Sequence, residues 1–456
     1  MFHIIMPVYN AQEFLKDAIE SITEQSLSFE ENVILHLIDD ASKDESLSIC
    51  KEYEEKYPKN IVVTHFEENK GVSAVRNFGL KQSRKDRKGI VGFADSDDRL
   101  EEHALEKVAA FFEQHQEIQM ACMEIEFFGA REGAHRSNWR FEEREIVEID
   151  VDYNYPQYYI GGVFLRRKAA RKMKFDETMN FWEDALAINQ VILKIRKYGL
   201  VKGAVYYYRQ SEDGTSLVDQ AWKNKNRYTT LLEQGYQRLM GKGKDWRGRI
   251  NPYIQYVIAY HLRLFLLENN RDVVMEMVPE EELPAFKKRL GDILKQIDYH
   301  MIAELNTSMP VIEELLSLKY DKKIWAKRTY QDGDLIFSFG DVELARLSER
   351  NVRIIGKADK PEYEGMIRGR FTSPIYAMRE NDYIYAIIDG EQIQTVKHPC
   401  KKRIDILDVR RRNYKHAGFA LKVPADFKTI QFGVHTEYGD VLLQGEIIDE
   451  ELLRSN

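Results

Sequence analysis

Four clusters of polar and acidic residues each follow a short apolar run near the start of this sequence. The clusters are Pro7-Val8-Tyr9-Asn10, Asp39-Asp40-Ala41-Ser42, Asn69-Lys70-Gly71 leading to Arg76-Asn77, and Asp95-Ser96-Asp97-Asp98. Ligands of an open parallel sheet bind beyond the carboxyl ends of its strands. If the apolar runs are strands, the four clusters lie along one edge of the sheet and form a ligand site.

The acidic cluster at residues 95–98 is suited to a divalent metal. Mg²⁺ and Mn²⁺ prefer oxygen ligands, which one or two carboxylates and the phosphates of a substrate supply. Such an ion neutralises a departing diphosphate. The alternative is that Asp97 or Asp98 caps a helix predicted to begin at Leu100. The other three clusters favour the metal, so Mn²⁺ or Mg²⁺ is the predicted cofactor.

The remaining candidates near the first clusters each have a functional and a structural interpretation. Asp39 ends a buried strand and could accept the N–H of a uracil ring, or it could form a loop turn. Tyr9 could stack on a base, or pack at the sheet edge. Arg76, on a predicted helix start, could meet a base or a phosphate, since arginine suits anions. It could equally be a surface charge.

Two later candidates complete the set. Glu183-Asp184 precedes an apolar helical pattern, where a carboxylate could act as general base toward a sugar hydroxyl. The alternative is stabilisation of the helix dipole. Arg209 follows a predicted strand, with Thr215-Ser216 shortly after it, and could hold a diphosphate or lie in a solvated loop.

The elements that must position these residues alternate between strand and helix. Apolar runs at residues 4–8, 33–38, 61–63 and 89–94 predict strands, with helical patterns between them, which indicates a parallel sheet covered on both faces. A helix is predicted over 185–198, stopped by Gly199. From 220 the pattern is helical, and from 325 it consists of short strands with hairpin turns at Asp389-Gly390 and at 438–440. The predicted domains are 1–219, a helical linker at 220–320, and a β-sandwich at 321–456.

Composition limits the class of protein. The 456 residues are 43% hydrophobic, with a formal net charge of −8, which argues against a general nucleic-acid binder. The three cysteines are far apart, so neither a disulfide framework nor a thiolate zinc site is expected. With no signal peptide and no span of about 20 apolar residues, a cytoplasmic location is predicted. The apolar stretch 253–267 predicts a buried helix, with contact to a membrane surface as the alternative.

Taken in order, the clusters and Glu183-Asp184 resemble the family 2 glycosyltransferases over about the first 220 residues. The resemblance implies a GT-A fold, a Rossmann-like mixed sheet, and transfer of a sugar from a UDP donor with inversion. It also implies residue roles. Pro7, Tyr9 and Asp39 bind uridine, Arg76 contacts the nucleotide, Asp95 meets the ribose beside Ser96, Asp97 binds the metal, Asp184 is the base with Glu183 alongside, and Arg209 and Ser216 close over the diphosphate. One departure is Ala41, where the family usually has Gly or Asn.

The whole layout is similar to the bacterial wall teichoic acid GlcNAc transferases. That similarity implies a polymeric or lipid-linked glycan acceptor, and an immunoglobulin-like C-terminal region that in some members forms homo-oligomers. A capsular or exopolysaccharide transferase and an inactive sugar-binding scaffold stay open as alternatives. A nucleotidyltransferase or a dinucleotide dehydrogenase is disfavoured, because no glycine-rich loop follows the first strand. The basic runs 401–403 and 410–412 are either a solvated face or a patch for an anionic polymer.

Overall fold

A computed structural model describes residues 1–85, 89–179, 181–210, 221–357, 366–424 and 426–444. The chain forms two compact units, Met1–Ile258 and Ala259–Asn456. The predicted three-part division at 219/220 and 320/321 stays a prediction. No helix in the described ranges is long and apolar enough to cross a membrane.

The first unit is built on one mixed sheet. Its strands are β1 (Phe2–Val8), β2 (Val33–Asp39), β3 (Ile61–His65), β4 (Ile90–Phe93), β5 (Arg99–Leu100), β6 (Met120–Gly129), β7 (Gly133–Ala134), β8 (Ile146–Glu148), β9 (Val163–Arg166) and β10 (Lys197–Gln210). The order is β3-β2-β1-β4-β9-β6-β10-β5, with β7 beside β6 and β8 beside β10. The first four strands are parallel, as the alternating pattern predicts, whereas β9 runs antiparallel to both β4 and β6. The predicted mixed sheet is confirmed.

Helices separate or follow these strands, and the last of them continues past Ile258, where the first unit ends. They are α1 (Leu15–Thr23), α2 (Phe29–Asn32), α3 (Ser46–Lys56), α4 (Val72–Gln82), α5 (Ala104–Gln114), α6 (Trp139–Glu143), α7 (Arg167–Ala170), α8 (Glu183–Ile195), α9 (Tyr236–Gly243) and α10 (Pro252–Leu262). In α1, Leu15, Ile19 and Ile22 are fully buried against the strands, which is the spacing of one helix face. In α10, Tyr253 and Tyr256 are buried, as expected for a packed helix.

Two predicted helix boundaries are wrong. The helix predicted at Leu100 begins at Ala104, because Arg99–Leu100 first pairs with β10 as a short strand. The helix predicted to reach residue 198 ends at Ile195, where Arg196 takes a left-handed conformation. Gly199 lies inside β10 instead. A Cβ at Gly199 would lie 2.1 Å from the Phe111 ring, so this glycine lets α5 pack closely on the sheet.

The second unit contains helices followed by small antiparallel sheets. Its helices are α11 (Arg271–Met277), α12 (Leu283–Leu294), α13 (Tyr299–Ala303) and α14 (Met309–Tyr320). Its strands are β11 (Lys327–Gln331), β12 (Asp334–Phe339), β13 (Val342–Arg346), β14 (Arg353–Lys357), β15 (Ile367–Arg370), β16 (Tyr383–Ile388), β17 (Glu391–Gln394), β18 (Val396–His398), β19 (Arg403–Ile406), β20 (Val409–Asn413), β21 (Gly418–Leu421), β22 (Ile430–Thr436) and β23 (Gly439–Leu442). The all-β region is confirmed. The immunoglobulin-like sandwich is not confirmed, because the described strands form four small sheets. The separate helical linker is not confirmed either, because these helices belong to the same compact unit as the strands.

The sheets of this second unit are β11-β12-β13, β14-β15-β21-β18, β17-β16-β22-β23 and β19-β20. The hairpin predicted at Asp389-Gly390 is confirmed, with both residues at positive φ between β16 and β17, as a type I′ turn requires. The second predicted hairpin joins β22 to β23, and its turn lies one residue earlier, at Glu437-Tyr438. Asp332-Gly333 forms a third hairpin of the same kind, between β11 and β12.

Both interpretations of the basic run 410–412 are wrong for two of its residues. Arg411 and Arg412 are only 2% and 4% exposed. Arg411 lies 2.6 Å from Glu314, and Arg412 lies 2.8 Å from Glu313. Arg411 also donates to the Ser317 hydroxyl. These arginines join β20 to α14 and are inaccessible to an anionic polymer.

Candidate active site

Asp39, at the end of β2, has one carboxylate oxygen that accepts no hydrogen bond from the described residues. Asp39 is fully buried. Its Oδ2 lies 2.7 Å from His65 Nδ1 on the neighbouring strand β3 and accepts the Ser42 backbone N–H. Its Oδ1 is buried and has no hydrogen-bond partner in the described residues. Because a buried acceptor without a partner is unfavourable, Asp39 is prepared to accept an N–H from a ligand.

The next residues of this loop hold the neighbouring loop in place. The Asp40 carboxylate accepts the backbone N–H groups of Lys70 and Gly71 at 2.7 and 2.8 Å. These two hydrogen bonds fix the start of α4, and therefore the position of Arg76. Ala41 has φ of 62°, a left-handed conformation that Gly or Asn adopts with less strain. The departure noted at Ala41 thus has a conformational consequence.

Two further candidates lie on the adjacent strand β1. Pro7 is half-buried next to the strand's end, and the register pairs Val8 with Asp39. Tyr9, just beyond the strand, is 51% exposed. An exposed aromatic side chain one residue beyond the Val8–Asp39 pair is a suitable platform for a planar base.

Arg76 is the centre of an ionic cluster that joins three elements. It is buried, and its guanidinium donates to Asp184 Oδ1 at 2.6 Å and to Asp95 Oδ1 at 2.9 Å. Glu183 Oε1 lies 3.6 Å away. These carboxylates keep the pKa of Arg76 above its usual value, although burial opposes this. The sequence did not predict this pairing, because the partners are 19 and 108 residues away.

The acidic cluster after β4 divides into residues with different environments. Asp98 is buried, and it accepts the Tyr206 hydroxyl at 2.7 Å and the Arg209 backbone N–H at 2.8 Å. Burial, with Asp97 and Asp95 nearby, raises the pKa of Asp98 well above its usual value. Tyr206 also accepts the Asp95 backbone N–H at 3.0 Å. Asp98 is therefore a bridge from the acidic loop to β10 and not the predicted helix cap.

Asp97 is the most exposed residue of the cluster by surface area, although neighbouring protein atoms crowd its carboxyl group. Desolvation by the surrounding protein, and then the charge of Asp95, raise its pKa to about 6. The described residues contain no group of three or more acidic, His or Cys side chains that could hold a metal by themselves. Mg²⁺ and Mn²⁺ are commonly bound through one or two carboxylates together with substrate phosphates. The Asp97 oxygens fit such a shared site, in which a cation relieves repulsion from Asp95.

Arg209 lies beside this carboxylate. Its Nε donates to the Asp97 carbonyl oxygen at 2.8 Å, and its guanidinium lies 4.1 Å from the Phe14 ring centre and 4.4 Å from that of Phe128. Burial and the nearby Arg99 lower its pKa. The two rings restrict the guanidinium to one place, next to the loop that carries the acidic cluster.

Glu183 and Asp184 form the first turn of α8. Trp182, just before them, is buried at φ of 68°, an outlier for a bulky residue. Its ring packs edge-on against Tyr236 at 4.9 Å. Strain of this kind persists where packing enforces it, often at functional sites. Burial raises the pKa of both carboxyl groups, most strongly that of Asp184, and the Arg76 charge opposes this rise.

The structure thus brings together many of the candidates predicted from sequence. Arg76 joins Asp95 to Glu183 and Asp184, while Arg209 adjoins Asp97. Ser96 is half-buried between the two aspartates, and Ser216 lies outside the described residues. Sequence reasoning missed His65, Asp40 and Tyr206. A signal existed for Asp40, which is the second acid of its cluster, but Tyr206 was one aromatic residue in a predicted strand.

Comparison with known proteins identifies the class. A family model described as "Glycosyl transferase family 2" matches residues 3–173. The minor teichoic acid biosynthesis protein GgaA of Bacillus subtilis is 34% identical over 426 residues, covering 93% of this chain and 92% of GgaA. The poly(ribitol-phosphate) beta-N-acetylglucosaminyltransferase TarS of Staphylococcus aureus is 25% identical, over 73% of this chain and 56% of TarS. The aligned region therefore spans just over half of TarS.

Solved structures of TarS share the fold. Its crystal structure superimposes with a TM-score of 0.62 at 17% identity, covering 97% of this chain and 77% of that one. The structure of TarS 1-349 in complex with UDP-GlcNAc gives a TM-score of 0.50 at 19% identity, over 75% and 97% of the two chains. With its strand-end carboxylates and its near full-length match to GgaA, the chain belongs to the family 2 glycosyltransferases, among the teichoic acid enzymes.

Proposed function

We propose that this protein transfers a hexose, GlcNAc or glucose, from a UDP donor to a phosphate-linked teichoic acid polymer with inversion of the anomeric centre. The observation that carries this proposal is the cluster around Arg76, which holds Asp184 and Asp95 at one edge of the sheet. GgaA, similar over nearly its whole length, is named for teichoic acid biosynthesis, and TarS is named for transfer of GlcNAc to poly(ribitol-phosphate).

The donor's nucleotide is assigned to the first two strand ends. The unused Oδ1 of Asp39 would accept the N3–H of uracil, and the exposed ring of Tyr9, with Pro7, would cover the base. Asp95, with Ser96 beside it, would bind the ribose through the carboxylate oxygen that Arg76 leaves available. Arg76 itself makes its contacts with carboxylates, so we assign it to positioning Asp95 and Asp184 instead of contacting the nucleotide.

The leaving diphosphate is assigned to Asp97 and Arg209. Asp97 would hold Mn²⁺ or Mg²⁺ jointly with the diphosphate oxygens, and such an ion neutralises the charge that develops on the leaving group. Arg209, positioned by the Asp97 carbonyl oxygen and two aromatic rings, would donate to the same diphosphate. The predicted role of Ser216 in closing over it stays a prediction.

Asp184 is the proposed general base. Its Oδ1 accepts from Arg76, which leaves Oδ2 to take the proton of the acceptor hydroxyl. As that proton leaves, the acceptor oxygen bonds to the anomeric carbon and the bond from this carbon to UDP breaks. One displacement of this kind inverts the centre, through an oxocarbenium-like state. Glu183 adds negative charge beside the developing positive sugar.

A donor screen tests this function. UDP release is measured with UDP-GlcNAc, UDP-glucose and UDP-galactose, with and without Mn²⁺, on poly(ribitol phosphate) and on an uncharged capsular-type polysaccharide. We expect one UDP-hexose to turn over on the phosphate-linked acceptor, with an inverted product by NMR. Asp184→Asn should lose turnover while Asp150→Asn, at an exposed position, keeps it. No UDP release with any donor would favour a sugar-binding scaffold, and full turnover in Asp184→Asn would remove the assigned base.

A further inference from the structure

A basic groove lies in the second unit, on the sheet β14-β15-β21-β18. Its volume is about 420 Å³, and its walls include Arg368 and Arg370 on one side and the segment 398–402 on the other. Gly418 is also part of the lining, and a Cβ at this residue would come within 2.3 Å of the His398 carbonyl oxygen. Glycine at this position therefore lets the segment that begins at His398 approach β21 closely. The size of the groove is that of ordinary ligand sites.

The strand register places like charges side by side in this region. Arg353 on β14 is directly opposite Arg370 on β15, which in turn pairs with Gly418. Like charges directly opposite each other destabilise a sheet. Neither arginine has a carboxylate partner in the described part of the chain, and the Arg370 Nε is buried without a hydrogen bond there. An anion bound at this place would relieve both problems.

The opposite wall carries two more cations. Lys401 and Lys402 are exposed and line the groove. The next cation of the run, Arg403, is already paired with Asp405 at 2.9 Å, so the accessible charge of the run is confined to these two lysines. No Asp or Glu occurs among the described residues that line the groove. The whole chain has a net charge of −8, so this concentration of positive charge is local.

We propose that this groove binds the phosphodiester backbone of the polymeric acceptor, as a second binding site apart from the active site. This inference rests on the proposed function for the identity of the polymer. Separated cations on two walls suit successive phosphates better than one small anion, and a tethered polymer raises the effective concentration of its hydroxyls for transfer. A concave site does not suit the flat surface of an anionic membrane.

Cys400 provides a direct readout of occupancy. It lies in the groove and is partly exposed, whereas Cys50 and Cys122 are buried. The rate of Cys400 alkylation by iodoacetamide is measured in the full chain with poly(ribitol phosphate), neutral dextran, single-stranded DNA, or phosphatidylglycerol vesicles. We expect protection by poly(ribitol phosphate) at the lowest concentration. The protecting affinity should fall about tenfold or more between about 50 and 200 mM salt, as for other polyanion contacts.

Matched charge variants test the assignment. The double variant Lys401→Glu and Lys402→Glu should weaken protection at least about tenfold, while Lys322→Glu with Lys323→Glu, an exposed lysine pair elsewhere in this unit, should not. Each variant is compared with itself without polymer, because nearby lysines alter the intrinsic reactivity of the thiol. In transfer assays, the first variant should raise KM for long polymer and leave kcat and short-acceptor turnover unchanged.

A failure of the groove proposal can be distinguished from a failure of the proposed function. If no donor releases UDP but Cys400 is still protected, the enzymatic assignment fails and the groove stands. If UDP is released but poly(ribitol phosphate) gives no protection, or both variant pairs lose it equally, the groove assignment is overturned. Stronger protection by DNA or by vesicles would also overturn it, in favour of those partners.

Discussion

Replacing Arg76 by methionine removes a buried cation that hydrogen-bonds Asp184 and Asp95 at 2.6 and 2.9 Å. Burial raises the pKa of Asp184, and Arg76 counteracts that rise. Without Arg76, the pKa of Asp184 should rise further. Since a general base acts in its deprotonated form, activity is present above this pKa and lost below it. The acid limb of the kcat–pH profile should therefore move to higher pH.

The size of the shift follows from the bond that is lost. A hydrogen bond to a charged group contributes about 1.5–3 kcal/mol, and about 1.4 kcal/mol corresponds to one pKa unit. The acid limb should therefore move upward by about 1–2 pH units. Breaking a buried ion pair destabilises a protein by about 3–5 kcal/mol. Because the Asp184 and Asp95 side chains are 26% and 33% exposed, we expect the stability loss at or below the lower end of that range.

The assay is steady-state UDP release at saturating donor and acceptor over pH 5 to 9, with folding checked by urea denaturation. Arg76→Lys should shift the limb less, because an ammonium keeps the charge but does not bridge both carboxylates in the same way. Arg144→Met, at an exposed arginine paired with Asp152, is the control and should leave the profile unchanged. A folded Arg76→Met protein with the wild-type acid limb would refute the argument that Arg76 controls the base.

Three other perturbations have clear expected outcomes. Because the pKa of Asp97 is about 6, the Mn²⁺ concentration for half-maximal activity should rise about tenfold per pH unit below pH 6 and stay flat above it; a flat curve throughout would argue against Asp97 as the ligand. Ala41→Gly should stabilise the first unit by about 0.5–1 kcal/mol, because it removes the strain of a left-handed alanine. The greater entropy of glycine in the unfolded chain offsets part of this gain. An unchanged or lower melting temperature would contradict this. Glu314→Gln should destabilise the protein by about 3–5 kcal/mol in urea, whereas Glu343→Gln, in an exposed pair with Arg346, should cost less than about 1 kcal/mol.

The sheet and its active edge were predictable because their signals are local in sequence. Each strand of the first half is a short apolar run, and parallel strands must place their carboxyl ends on one edge. That geometry groups Asp39 with Asp95 before any coordinates are known. The same reasoning places Tyr9 at the end of β1, where it is exposed. The family's ordered motifs added roles that the local pattern does not contain.

Pairing between distant residues was not predictable in the same way. The sequence around Arg76 does not distinguish a surface arginine from a buried arginine that pairs with several carboxylates. The difference lies in its partners, which come from α8 and from the loop after β4. Gly199 has the sequence signature of a helix stop. Glycine is needed there for another reason, because any side chain at this residue would clash with the Phe111 ring. Asp98 similarly has the signature of a cap, and its actual partner is Tyr206.

The two basic runs of the second unit show why charge patterns need a structure before they indicate a binding surface. Arg411 and Arg412 belong to a run of three arginines, but their guanidinium groups are buried against Glu313 and Glu314. A buried arginine requires such partners, because an unpaired charge away from water is strongly unfavourable. Among the described residues, Lys401 and Lys402 have no carboxylate partner, and both stay exposed. The residues available to an external anion are therefore the lysines of the first run, together with Arg370, which no sequence pattern had indicated.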